Sequence, residues 1–164
     1  MESFLPLLSL LSYVAIVAGA APAVGLAFLL ARWLPFQRAL SLVVGGAVLA
    51  GILGVLVLGG PVAALVVAAT ALVLVVGPLL VGVALVSTRA DGNVPLALRR
   101  VALAWPVALL ASALVFFLPG GLSRYNVTFL DQLVGLLALG FVVAIALVGP
   151  GVIGVLSLRW RGTR

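Results

Sequence analysis

Of the 164 residues, 66% are apolar before the 19 glycines are counted, only 7% are charged, and the formal net charge is +6. A water-soluble fold must cover itself with polar groups, so this composition excludes an ordinary soluble domain and makes lipid the solvent for most of the chain. All nine basic residues are Arg, and the absence of Cys, His and Lys excludes thiolate and imidazole metal sites, His or Cys haem ligation, disulfides and Schiff-base chemistry.

A helix needs about 20 apolar residues to cross the hydrocarbon. The first uncharged run, Ser3 to Ala31, predicts a helix over about 4–31. Met1-Glu2 lacks the basic start of a cleavable signal, so this helix is expected to be retained. The next run, Ala39 to Thr88, is too long for one pass and carries Gly59-Gly60-Pro61 near its middle. Glycines end helices and proline begins them, so a tight turn is expected there, between helices over about 37–58 and 61–88. Val101 to Ser123 and Gln132 to Leu158 predict two more, over about 97–118 and 128–158. The fold class read from this pattern is an all-α membrane protein: one integral domain, 1–164, of five transmembrane helices.

The connections then divide the charge. Arg32, Arg38, Arg89, Arg99, Arg100, Arg159, Arg161 and Arg164 fall on one side of such a bundle, and Arg124 alone on the other. The positive-inside rule puts the amino terminus outside and the tail in the cytoplasm of a multi-pass cell-membrane protein. Scattered in ones and twos, the arginines set topology and suggest no nucleic-acid partner. The triplet Asn126-Val127-Thr128 is a possible glycosylation acceptor on the loop this topology leaves outside. Trp33, Trp160 and Tyr125 fall at the expected interfaces as anchors, while Trp105 lies deeper, where its indole N–H needs an acceptor such as a carbonyl freed by a nearby proline.

The stretches "VVGPLLVGVALVSTR" (75–89) and "LVGPGVIGVLSLR" (147–159) share Val-Gly-Pro, two residues, Val or Ile, then Gly-Val, and each runs into an Arg. Both sit at corresponding depths of helices that run the same way, and Pro22 lies at a similar depth in the first helix. The outward helices also echo each other, with "LPFQR" and "VPLALRR" before them and paired glycines at their ends. Two tandem helical hairpins plus a fifth helix are the economical reading; cheap matches among common residues are the competing one. Pro22, Pro78 and Pro150 should each loosen their helix and face protein, because a freed carbonyl in lipid needs a donor or shelter. Gly77 and Gly149, with Gly151 following, would let a neighbouring helix approach the backbone closely. Gly19, Ala23 and Ala27, and Gly46, Ala50 and Gly54, form small-residue stripes suited to packing against each other or against a second copy.

No ionisable group is expected at mid-membrane. Glu2 is terminal, Asp91 lies in a turn, and Asp131 starts the last helix near Arg124. The interior hydroxyls, Ser9, Ser12, Tyr13, Thr70 and Ser112, are expected to bond helix backbones or neighbouring helices. No catalytic, cofactor-binding or metal-binding residue is therefore assigned. The expected function is non-enzymatic helix–helix association, as an accessory or structural subunit or a homo-oligomer, with the lipid bilayer and other membrane helices as partners. The alternative is a small transporter or channel for an uncharged solute, built around the proline-kinked helices. Whether the prolines meet at a polar cavity or at packed backbone distinguishes the two.

Overall fold

The computed structural model describes residues 4–89, 93–117 and 133–159, all but a few of them helical. Asn126, Asp131, Arg124, Tyr125, Trp160 and the expected start of the last helix at 128–132 lie outside the described residues. Helix α1 spans Phe4–Leu30. Pro35 ends the connection that follows, with φ −53° and ψ 135°, and α2 begins at Phe36–Leu40. A π-helical turn, Ser41–Gly45, leads into α3, Gly46–Ala71. Ser41 Oγ donates to Gln37 O at 2.7 Å, so a side chain competes for a ladder carbonyl next to the widened turn. A second π-turn, Leu72–Val76, leads into α4, Gly77–Ser87. Helix α5 is Val94–Phe117 and α6 is Leu133–Arg159.

Within α3 the helical path is broken at Gly60, whose φ of 77° and ψ of −177° only glycine adopts readily. The break falls inside the expected Gly-Gly-Pro turn. Helix α5 starts three residues before its expected position because Asn93 caps it: Asn93 Oδ1 accepts from Leu96 N–H at 3.1 Å and Asn93 O from Ala97 N–H at 3.0 Å.

Among the described residues, four helical runs are long and apolar enough to cross a membrane: Leu7–Leu30, Phe36–Ser87, Val94–Val115 and Gly140–Ser157. Their outward surface is apolar to a degree that water would not tolerate, with Leu58 90% and Val57 83% exposed. A lipid environment fits that surface.

Helix α5 is the hub. Ala97, Val101, Ala104, Trp105, Ala108, Leu109 and Ser112 are buried, and the exposed apolar side chains Leu103, Val107, Leu110 and Leu114 recur at spacings of four and three, leaving one stripe uncovered. Helices α1, α4 and α6 pack around it. The main core cluster joins Ala20, Val24 and Ala27 of α1 to Phe36, Leu40 and Val44, to Leu74 and Val75, and to Trp105 and Leu109.

Contacts fix the directions. Gly77 faces Leu147, Gly82 faces Gly151 and Val86 faces Gly154, so α4 and α6 run parallel. Ala108 meets Gly149 while Arg100 meets Ser157, so α5 runs against α6. Tyr13 meets Ser112 at one end of α1, and Phe36, just beyond its other end, lies under Arg99, so α1 also opposes α5.

Candidate functional site

The richest set of close contacts lies where α4, α5 and α6 meet, and the two repeated stretches are its substance. A Cβ built on Gly82 would lie 2.6 Å from Val101 Cγ1 and 3.4 Å from Gly151 N. One on Gly151 would lie 2.7 Å from Leu85 Cδ1 and 3.1 Å from Gly82 Cα. Gly154 has Val86 Cγ2 at 2.7 Å from the same construction, Gly77 has Leu147 Cδ2 at 2.6 Å, and Gly149 has Ala108 Cβ at 2.9 Å. Helices in lipid gain little by burying apolar side chains against each other, so close backbone approach with dense van der Waals contact must supply the cohesion. The glycines permit that approach.

Proline supplies the second element. Pro78 is fully buried and has no N–H to offer Leu74 O, one turn back. The π-turn sits at this point, with Gly77 N–H reaching Leu72 O instead. Leu74 O takes its hydrogen bond from another helix: Trp105 Nε1–H donates to it at 2.9 Å. The expected pairing of the deep indole with a proline-freed carbonyl is what the fold contains. Pro150 is also fully buried, one turn beyond Ala146, which belongs to the core cluster.

Further polar contacts join helices near the two ends of α5. Tyr13 Oη lies 2.8 Å from Ser112 Oγ. Ser112 Oγ donates to Leu109 O at 2.7 Å, so the tyrosine hydroxyl serves as donor to the serine. At the other end of α5, Arg100 reaches Ser157 Oγ at 2.9 Å and Ser157 O at 3.2 Å, tying α5 to the last turn of α6. Ser12 and Thr70 donate to the carbonyls of Leu8 and Val66 on their own helices. Among the described residues every buried side-chain nitrogen or oxygen has a partner, and no group of His, Cys, Asp or Glu could hold a metal ion.

The remaining sequence-derived positions sit elsewhere. Pro22 is exposed: the buried stripe of α1 is Ala20, Val24 and Ala27, and Pro22 lies on the opposite face. Its expected protein-facing position is therefore not the one it takes. Gly46, Ala50 and Gly54 are exposed as well, and a Cβ on Gly46 or Gly54 would meet nothing within 4 Å. The inward stripe of this segment is Phe36, Leu40 and Val44, so larger side chains and not the small ones contact α1. Of the first-helix stripe, Ala27 is buried and Gly19 exposed.

Gly151 takes the close-approach position expected of it, whereas Gly82 and Gly154 were not singled out as contact points. The signal was present, since Gly82 and Gly154 are the closing glycines of the repeat. It did not show that one copy packs directly on the other. The Tyr13 and Ser112 hydroxyls bond as interior hydroxyls are expected to, but that they bond each other, and that Arg100 bonds Ser157, left no signal, because each pair joins residues far apart in the chain. Comparison with known proteins finds no matching family model, no matching curated protein and no matching solved structure.

Proposed function

We propose that this chain is a five-crossing, non-enzymatic integral membrane protein of the cell membrane that acts by helix–helix association, as an accessory or structural subunit or as a homo-oligomer. The five-crossing count is supported by length. The run Phe36–Ser87 holds 52 residues, about 78 Å of helix at 1.5 Å per residue, against a hydrocarbon core of about 30 Å. A reversal at Gly60 resolves the excess. In an unbroken helix Val44 and Leu74 would stand about 45 Å apart, yet both belong to one core cluster, and α1 touches both α2 and the turn Leu72–Val76.

With that reversal, α1, α4 and α6 descend together and the arginine-rich ends share one face. The amino terminus is then outside and the tail cytoplasmic. The chain has no native Cys, so the assignment is tested with single cysteines and a membrane-impermeant thiol reagent on intact cells. Asn126→Cys will be labelled from outside and Arg164→Cys only after permeabilisation; the reverse pattern rejects the topology.

The observation that carries the association reading is the unfilled face of α3. Gly46, Ala50 and Gly54 present small residues at four-residue spacing on the outer surface, and Gly45 and Gly51 beside them also have open space. This is the kind of stripe that brings membrane helices into backbone contact, and the protein's own fold leaves it uncovered. The burial of Pro78 and Pro150 favours this reading over a solute path, since the glycine before each proline faces a side chain of another helix, Leu147 for Gly77 and Ala108 for Gly149. Gly54→Ile places a large side chain where nothing intrudes. The variant is expected to fold with unchanged thermal stability in mild detergent and to lose the oligomer or co-purifying membrane partner retained by the natural sequence. A monomer without partners in both forms overturns the proposal.

A further inference from the structure

The contacts at Gly82 and Gly151 bring α4 and α6 together, and beside them a groove of about 300 Å³ opens on the outer surface of the pair. Leu85 forms one wall, Val152, Val155 and Leu156 the other, and Thr88 and Arg89 lie at the end where α4 stops. The lining is apolar along the helices and polar only at that end.

We propose that this groove holds an acyl chain of an anionic phospholipid, with the headgroup phosphate paired to Arg89. A slot of this size, at the lower end of ligand-binding clefts, open to lipid and walled by branched aliphatic side chains, matches a hydrocarbon chain in shape and chemistry. Charge complementarity decides the headgroup. Arg100 is engaged with Ser157, and Arg99 lies 5.8 Å over the Phe36 ring, whereas Arg89 is exposed at the groove. Thr88 Oγ1 already donates to Leu85 O at 2.8 Å, which leaves the guanidinium as the donor for a phosphate. Its planar fork suits phosphate oxygens. A neutral zwitterionic lipid would fill the groove equally well but lacks net charge to favour it. The site requires the chain to lie in a bilayer and does not depend on association through α3, so loss of the association phenotype would leave it standing.

The test uses the full chain carrying Val148→Cys, an exposed position on α6 one turn from the groove wall, labelled with a fluorophore and reconstituted in phosphatidylcholine vesicles. Brominated phosphatidylglycerol or brominated phosphatidylcholine is added at equal mole fraction as quencher. The anionic lipid is expected to show about fivefold higher apparent occupancy, the factor one arginine near an anionic surface supplies. Arg89→Gln will abolish the preference without changing the melting temperature in detergent, and Arg38→Gln, on a different connection, will preserve it. Equal quenching by the two lipids, quenching by neither, a preference that survives Arg89→Gln, or one lost equally in Arg38→Gln overturns the proposal.

Discussion

Gly82→Val is expected to destabilise the protein by about 3 kcal/mol, the upper end of the overpacking range, and to separate α4 from α6. The new Cβ would sit 2.6 Å from Val101 Cγ1, far inside contact distance. Val101 is β-branched and fully buried, so it can neither rotate freely nor move outward. Behind it stands the backbone of Gly151 at 3.4 Å, which can yield only if α6 moves as a body. Since α6 also touches α5 along its length, that movement would disturb the Gly149–Ala108 and Gly154–Val86 contacts together. Gly54→Val, with open space around it, is expected to change stability by less than about 0.5 kcal/mol. Reversible unfolding in mixed detergent micelles measures both. Equal effects at the two positions would show that the Gly82 contact does not hold the helices together.

Trp105→Phe is expected to cost about 2 kcal/mol, the range for leaving a buried acceptor unpaired. The substitution keeps an aromatic ring but removes the N–H that serves Leu74 O. The α-helical donor to Leu74 O would be the amide of residue 78, which is proline and has none. Pro78→Ala restores an amide at that position, so in its background Trp105→Phe should cost about 1 kcal/mol less. The four-member cycle cancels the loss of ring volume and isolates the hydrogen bond. Additivity within error would mean that proline and tryptophan act independently, against the pairing described.

These two sites also show how far the sequence could be read. Composition and run length led to an all-helical chain of membrane-crossing segments, because a bilayer tolerates only backbones that satisfy their own hydrogen bonds. Gly59-Gly60-Pro61 marked a break, and Gly60 carries the positive φ that ends the helix. Such features are local: a run of apolar residues, or a glycine before a proline, has its consequence within a turn or two of helix. The need of Trp105 for an acceptor was legible for the same reason, since the chemistry of an indole and of a proline are properties of single residues.

What the sequence could not convey was which face of each helix turns inward. In a chain where alanine, valine, leucine and glycine occupy every face, lipid-facing and protein-facing positions share one composition, and the amphipathic signal that orients helices in water is missing. Nothing in the sequence ranks the small residues Gly46, Ala50 and Gly54 of α3 apart from Gly82 of α4 and Gly151 and Gly154 of α6. Only the fold separates them, leaving the first set open to lipid and closing the second on itself. Pro22, Pro78 and Pro150 were equivalent by the same measure until packing around α5 buried two and exposed one. Helix identity is settled by the solvent each residue prefers, whereas helix orientation is settled by shape complementarity between surfaces brought together from distant parts of the chain, and that exists only once the bundle has formed.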